Sequence, residues 1–281
     1  MLYLLLAILS SSLISIIMRL SSGRAKSERG MLLANYAVCS LIAALYSGPK
    51  TLFAGGEGFG FALGLGVFGG FLFLTAFILF QRSVKKNGVV LSSSFMKLGL
   101  LVPIVLSVTA FHEKPSLWEA LGFLLALAAI VLINYRPQSG KSGFTFSLPI
   151  LLLVGGMADS MTKVFEELGN SAFSSAFLFC IFASAFIMCS LLIAYEKKPP
   201  AIKDLLYGAA VGIPNYFSSH FLLMALESGL SGVVAYPVFS VFTILIVSVA
   251  GVLVFREKLE KRQWAGIAII LVSLALLNAG G

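Results

Sequence analysis

The chain has 281 residues, of which 59% are hydrophobic and only 11% are charged, so its apolar side chains exceed what a soluble core of this length can bury. A mean hydropathy of +1.00 predicts an integral membrane protein instead. The net charge of +8 comes from short basic clusters between apolar stretches, which is typical of loops beside acidic lipid headgroups and excludes a nucleic-acid-binding face.

Ten apolar segments are long enough to cross a bilayer, which takes about 20 residues. In chain order they cover about 2–20, 31–48, 58–80, 89–111, 118–135, 147–165, 171–195, 203–226, 232–255 and 262–279. Polar or turn-forming stretches separate them, for example Ser21–Gly30 and Pro137–Gly143. The predicted fold class is therefore all-α integral membrane, with ten transmembrane helices.

The first apolar run has a cleaved signal peptide as its alternative interpretation. No Lys or Arg precedes it, and the first basic residue is Arg19, which favours a retained helix. The three cysteines, Cys39, Cys180 and Cys189, lie in apolar runs without the spacing of a metal site or a disulfide framework. We interpret them as small packing residues and expect no metal and no cofactor.

Span three is rich in glycine, which lets helices approach closely. Its glycines are Gly58, Gly60, Gly64, Gly66, Gly69 and Gly70. Helix packing is the favoured interpretation, and a gating hinge is the alternative.

An internal repeat at an offset of 144 residues organises the whole chain. The matching residues keep one register without a gap over 47 positions. They are Gly88-Val89-Val90 with Gly232-Val233-Val234, Phe111-x-Glu113-Lys114 with Phe255-x-Glu257-Lys258, Gly122 with Gly266, and Asn134 with Asn278. The repeat predicts two five-helix halves, residues 1–137 and 145–281, within one transmembrane unit. Because five is odd, the second half enters the membrane from the opposite side, as in many secondary transporters.

The basic residues predict the orientation of the chain. Sixteen of the 20 Lys and Arg fall in the loops after the odd-numbered spans, and only Lys50, Lys114 and Lys163 fall in the alternate loops. Positively charged loops face the cytoplasm. Both termini are therefore predicted to be non-cytoplasmic, in a multi-pass protein of the inner or plasma membrane.

The repeated Gly, Phe-x-Glu-Lys, Gly and Asn positions resemble the drug/metabolite transporter superfamily in its ten-helix EamA-like form, over essentially the whole chain. This resemblance implies a carrier and leaves the substrate open, since members export amino acids, drugs or vitamins, or carry sugar phosphates and nucleotide sugars. Span one also resembles the first helix of the small multidrug resistance proteins. Ser11 stands where those proteins carry a proton-coupling glutamate.

Two ionisable residues within predicted spans are candidate site residues, because charges inside a bilayer need a partner, a wet cavity or a role. Lys97 lies about 12 Å and Asp159 about 18 Å from the cytoplasmic ends of spans four and six, at 1.5 Å per residue. In one interpretation Lys97 binds a substrate carboxylate or phosphate, and Asp159 faces an amine or titrates as a coupling group. In the other they pair with each other and fix helix register. The family resemblance favours a binding role for Lys97, because sugar-phosphate and nucleotide-sugar carriers use a lysine in the fourth span.

Spans eight and nine supply the other candidates. Asn215 and Tyr216 follow Pro214, which can bend span eight and free a backbone carbonyl, and both offer directional hydrogen bonds to a substrate. Ordinary interhelical hydrogen bonding is the alternative for Asn215. Tyr236, before Pro237, is either an outer gate or an interfacial aromatic residue. With Ser11, Lys97 and Asp159 these residues complete the predicted substrate site.

These features predict a secondary transporter that moves a small polar metabolite by alternating access, in the direction of efflux. The solute is amino-acid-like, or another carboxylated or phosphorylated molecule; a multidrug, nucleotide-sugar or sugar-phosphate carrier is the alternative. A membrane enzyme is less well supported, because the two histidines lie 108 residues apart and form no catalytic set. A channel lacks a repeated charge or carbonyl filter. Expected partners are a small-molecule substrate and membrane lipids but no nucleic acid, and the protein is a monomer or a homodimer.

Overall fold

The computed structural model describes most of the chain. The described residues are 1–21, 24–52, 55–87, 96, 99, 101–112, 116–134, 147–197, 199–254, 261, 264–266, 268–269, 272–273 and 276. These residues form helices and turns and contain no β-strand. The prediction of an all-α membrane fold is confirmed.

Most helix bounds lie within four residues of the predicted spans, although the third helix extends seven residues further and the fourth covers only part of span four. The helices are α1 (Leu2–Ser21), α2 (Glu28–Leu52), α3 (Phe59–Asn87), α4 (Leu101–Thr109), α5 (Leu117–Asn134), α6 (Ser147–Leu168), α7 (Ser174–Glu196), α8 (Ile202–Glu227) and α9 (Gly232–Leu253). A 3₁₀ turn, Ser171–Phe173, leads into α7. Four stretches are long and apolar enough to cross a membrane: Leu2–Ser21, Glu28–Gly48, Phe59–Ser83 and Ser171–Glu196.

Spans four and ten fall partly outside the described residues, so the count of ten helices stays a prediction. The structure describes α4 and two residues before it, and short pieces after Lys261. Lys97, Gly88, Glu113, Glu257 and Asn278 all lie outside the described residues.

The chain forms two compact units. Unit 1 contains Met1–Ile78 and Met161–Gly229, and unit 2 contains Leu79–Ser160 and Leu230–Gly281. Each unit therefore draws residues from both predicted sequence halves, and the repeat boundaries at 1–137 and 145–281 stay a prediction.

In unit 1, α2 packs against α7 and α8, and α1 packs against α8. Two glycines one turn apart on α8 permit this approach. A methyl group on Gly208 would lie 2.7 Å from Ala34 Cβ, and one on Gly212 would lie 2.7 Å from the Asn35 carbonyl oxygen. Because real Cβ atoms do not come that close, only glycine fits at this crossing.

The glycines of α3 make a second close contact, with α7. A methyl group on Gly66 would lie 2.6 Å from Cys180 Cβ and 2.8 Å from the Phe177 carbonyl oxygen. Gly70, one turn later, lies even closer to the Ile181 backbone and the Ser184 side chain. Packing is thus the role of these two glycines, whereas Gly60 and Gly64 have open space where a side chain would point.

A buried carboxylate fixes the start of α8 to the loop before α2. Asp204 is fully buried, and it accepts backbone hydrogen bonds from Lys26 at 2.7 Å, Ser27 at 3.1 Å and Ala201 at 3.0 Å. Ser27 in turn caps α2, since its hydroxyl accepts the N–H of Gly30 at 3.0 Å. This arrangement aligns α2 and α8 at the end where both begin.

In unit 2, α9 packs against α4 and α5. The Ser273 hydroxyl donates a 2.7 Å hydrogen bond to the carbonyl oxygen of Gly122 in α5. Gly156 of α6 lies against Gly99 and Val102, with no room for a side chain.

Candidate functional site

The predicted site residues are distributed over both units. Ser11, Asn215 and Tyr216 lie in unit 1, and Asp159 and Tyr236 lie in unit 2. Unit 1 brings Asn215 and Tyr216 together with polar residues of α2 that were not predicted as site residues.

An asparagine pair joins α2 and α8. Asn215 Nδ2 donates to Asn35 Oδ1 at 3.1 Å, and the two side chains are 5% and 1% exposed. Gly212 lies one turn before Asn215 and packs on Asn35 itself, so the small residue brings the two amides within hydrogen-bonding distance. Such a pair satisfies polar groups in an environment without water.

Cys39 lies one turn beyond Asn35 on α2 and faces the same contact. Its thiol donates to the Gly212 carbonyl oxygen at 3.1 Å and lies 3.9 Å from Asn35 Oδ1. The side chain is fully buried. The burial agrees with the interpretation of Cys39 as a small packing residue, and the thiol adds a hydrogen bond between α2 and α8.

Aromatic rings surround this polar contact. Tyr216 stacks on His220 with ring centroids 5.5 Å apart, and Tyr46 of α2 meets the same histidine edge-on at 4.9 Å. Tyr36 meets Phe77 of α3 edge-on at 6.3 Å. The helical periodicity of α2 and α8 thus gathers polar and aromatic side chains on facing surfaces.

Several polar atoms in this region are buried without a hydrogen-bond partner. Within the described part of the chain, none reaches the hydroxyls of Tyr36 and Tyr216, His220 Nε2 or Asn35 Nδ2. We call Asn35, Tyr36, Asn215, Tyr216 and His220 the polar cluster. Its open donors and acceptors can bind a solute or water through directional hydrogen bonds, and the described cluster carries no fixed charge.

Ser11 lies on α1, the helix that packs against α8, and is 7% exposed. Its neighbour Ser12 donates to the Ile8 carbonyl oxygen at 2.7 Å, within the same helix. The Ser11 carbonyl oxygen accepts a 3.3 Å bond from Ser15. The serines of α1 thus mainly satisfy their own helix.

In unit 2, Asp159 is exposed on α6 and Tyr236 is 2% exposed on α9.

One turn after Asp159, Lys163 belongs to unit 1 and is 1% exposed. Its ammonium contacts Glu166 and Glu167 at 2.6 Å each. The spacings of three and four residues place both carboxylates on its face of the helix. The prediction that Lys163 lies in a loop is therefore wrong, because Lys163 is buried within α6 and paired there with two acids. In the described ranges, no group of three or more His, Cys, Asp or Glu could hold a metal ion.

Comparisons with known proteins agree with this architecture. A solved crystal structure superimposes with a TM-score of 0.74, covering 99% of this chain and 96% of its own, at 16% sequence identity; this likeness shows the fold. An uncharacterised protein of Haemophilus influenzae is 25% identical over 214 residues, which are 74% of this chain and 72% of the relative.

Residues 147–279, essentially the second predicted half, match the EamA-like transporter family. The match covers α6 to α9 and the residues that follow, and hence the second of the two repeat copies that carried the resemblance. It confirms that resemblance. This match over the second half of the chain places the protein in the drug/metabolite transporter superfamily, as an integral, multi-pass membrane transporter.

Proposed function

We propose that the protein is a secondary transporter that exports a small polar metabolite by alternating access. The solute is an amino acid, or another carboxylated or phosphorylated molecule, and a multidrug, nucleotide-sugar or sugar-phosphate carrier is the alternative. The family match supports transport. The polar cluster of unit 1 is the single observation that supports a polar solute.

Four buried polar atoms of the polar cluster have no hydrogen-bond partner among the described residues. Leaving a buried donor or acceptor without a partner costs about 1–3 kcal/mol. Such a cost persists in a protein when the groups serve a ligand or ordered water. A solute that supplies hydroxyl, amine or carboxylate groups would satisfy the hydroxyls of Tyr36 and Tyr216, whereas a purely apolar one would leave them unpaired.

We also propose roles for the individual residues that the sequence predicts to form the site. Lys97 is the anion contact, and Asp159 faces an amine or titrates as the coupling group. Asn215 and Tyr216 bind through the polar cluster. Tyr236 and Ser11 complete the site as hydrogen-bonding residues.

The setting of the transporter is also part of the proposal. We place it in the inner or plasma membrane with both termini non-cytoplasmic, as a monomer or a homodimer. Its partners are the solute and membrane lipids, without nucleic acid. The excess of basic residues in the loops after odd-numbered spans supports this orientation.

A ligand screen on the purified protein tests the proposal. Amino acids, phosphorylated sugars, nucleobases and cationic drugs are each added during thermal unfolding. A solute at 100 times its Kd stabilises the folded state by about 2.7 kcal/mol, so we expect one polar class to raise the melting temperature. Stabilisation only by lipophilic cations would contradict a polar metabolite.

Transport of the stabilising solute into proteoliposomes then tests the proposed contact. Lys97→Ala is expected to lower uptake at least tenfold, and the exposed Lys197 supplies the control Lys197→Ala. Unchanged uptake by Lys97→Ala removes Lys97 from the site. Single-channel recording distinguishes a carrier from a channel. The transport rate of a carrier saturates with solute concentration, and a carrier shows no unitary currents.

A further inference from the structure

A groove runs along the outer surface of unit 1, where α2, α7 and α8 meet. It has a volume of about 390 Å³ and an almost entirely apolar lining. Its walls and floor include Leu33, Ala37, Phe186, Leu205, Leu206 and Ala209. Ala37 of α2 and Ala209 of α8 both line the groove. Their short side chains leave space between the larger neighbouring side chains.

The groove has a basic end. On α2, three residues are spaced four positions apart and share one face of the helix: Arg29, Leu33 and Ala37. Arg29 therefore lies one turn beyond the groove on that face. On α8 the lining begins at Ile202, and the exposed Lys203 follows directly. A charged end on an apolar groove matches the two parts of a phospholipid.

The contacts at this end hold the basic residues in place. The backbone N–H of Lys26 donates a hydrogen bond to Asp204 in the first turn of α8. The exposed side chain of Lys26 therefore starts beside that turn. Arg29 pairs with Glu196 at the end of α7. The Asp204 carboxylate is occupied by three backbone donors. Asp204 also attracts the Lys26 ammonium, but its single buried charge offsets only one of the two exposed ammonium groups of Lys26 and Lys203.

We propose that this groove binds one anionic phospholipid, with an acyl chain along α2, α7 and α8 and the phosphate between Lys26 and Lys203. The apolar lining accepts hydrocarbon, and the lysine ammonium groups attract an anionic headgroup. Headgroup charge distinguishes this site from the general lipid annulus, where an acyl chain alone suffices.

A second copy of the chain is the competing occupant of the groove. Two copies inserted in the same direction and related by a two-fold axis would present the same patch to each other. That arrangement places two basic ends side by side, and like charges oppose association. An anionic lipid removes this repulsion, so the charge favours the lipid.

Native mass spectrometry of the purified full chain, titrated with phosphatidylglycerol or phosphatidylcholine, tests the proposal. We expect one phosphatidylglycerol per chain to bind more tightly than phosphatidylcholine. The loss of one lysine near an anionic lipid weakens binding about fivefold, so Lys26→Gln with Lys203→Gln should weaken it about 25-fold. Arg82→Gln, an exposed cation outside unit 1, is the charge control and should bind normally.

Filling the groove tests the acyl-chain part of the site. Ala209→Phe places a ring in the groove and should weaken phosphatidylglycerol binding more than tenfold. Ala210→Phe, at the exposed neighbouring position, should leave binding unchanged. If Ala209→Phe does not fold by circular dichroism, the paired lysine variant still decides the question.

Three results would overturn the proposal. They are equal binding of the two lipids by the wild type, wild-type binding by a folded Ala209→Phe, and full binding by the paired lysine variant. A dimer peak in the wild type that Ala209→Phe abolishes would assign the groove to a second copy and would likewise refute the lipid site.

Discussion

Two glycine-mediated helix contacts in unit 1 have similar spacing but different surroundings. Gly208 and Gly212 bring α8 onto α2 beside the Asn35–Asn215 pair. Gly66 and Gly70 bring α3 onto α7 beside apolar residues and one serine. The α3–α7 contact demonstrates that close packing needs small residues but not a polar cluster. Close packing alone therefore does not explain the polar groups at the α2–α8 contact, and a role in solute binding does.

Substitution of the packing glycines should have the largest effect on both contacts. Gly208→Leu and Gly70→Leu would drive a side chain into the facing backbone. Overpacking of this kind costs about 3 kcal/mol or more, which thermal unfolding in detergent would detect. Gly64→Leu, at a position with open space, is the control. Equal melting temperatures for the three variants would refute the packing role.

The anchor at Asp204 belongs to the α2–α8 contact alone. Asp204→Asn keeps one acceptor oxygen and turns an amide toward backbone donors that the carboxylate now satisfies. We expect a loss of about 2 kcal/mol in the free energy of unfolding, because a buried charge-assisted network loses partners. Glu57→Gln, at an exposed turn position, should change the melting temperature very little. A wild-type melting temperature for Asp204→Asn would show that the anchor contributes nothing.

The asparagine pair distinguishes a structural polar contact from a functional one. Asn35→Leu alone leaves the Asn215 amide without its partner and should cost about 1–3 kcal/mol. The double variant with Asn215→Leu should recover most of that loss, since replacing both partners by apolar groups is nearly neutral. A double-mutant cycle of unfolding measures the coupling.

Transport by the same double variant completes this test. The variant should be folded and yet carry the solute at least tenfold more slowly than the wild type. Normal transport would mean that the amides serve only helix packing.

The smallest effect is expected at the serine of the α3–α7 contact. The Ser184 hydroxyl donates to the Cys180 carbonyl oxygen of its own helix at 2.6 Å, a bond that the helix does not need. Ser184→Ala should change the free energy of unfolding by less than about 0.5 kcal/mol and leave transport unaltered. A large loss of transport would place this contact, too, beside the solute.

The sequence predicts most helix bounds because long apolar runs and their polar boundaries are local signals. Span eight is predicted at 203–226 and observed as Ile202–Glu227, and span nine is predicted at 232–255 and observed as Gly232–Leu253. Span two begins earlier than predicted, at Glu28, because Ser27 caps the helix among polar residues. Charged residues in a first turn are easily assigned to the loop.

The polar cluster is predicted only in part. Asn215 and Tyr216 stand out beside Pro214, but Asn35 and Tyr36 belong to a span that composition alone marks as ordinary. Their importance depends on the register between α2 and α8, which Gly212 and Asp204 set through contacts more than 170 residues apart in sequence. The periodicity of apolar residues predicts which face of a helix is buried but not how two helices are aligned with each other. Asn35 and Cys39, one turn apart, were the local signal that could have indicated a polar face.

The most direct test of the proposed function is the double substitution Tyr36→Phe and Tyr216→Phe. Both hydroxyls are buried and without a partner in the described part of the chain, so their removal should leave the melting temperature unchanged or higher. Solute uptake into proteoliposomes should fall at least tenfold. Wild-type uptake by this stable variant would contradict a role of the polar cluster in binding the transported solute.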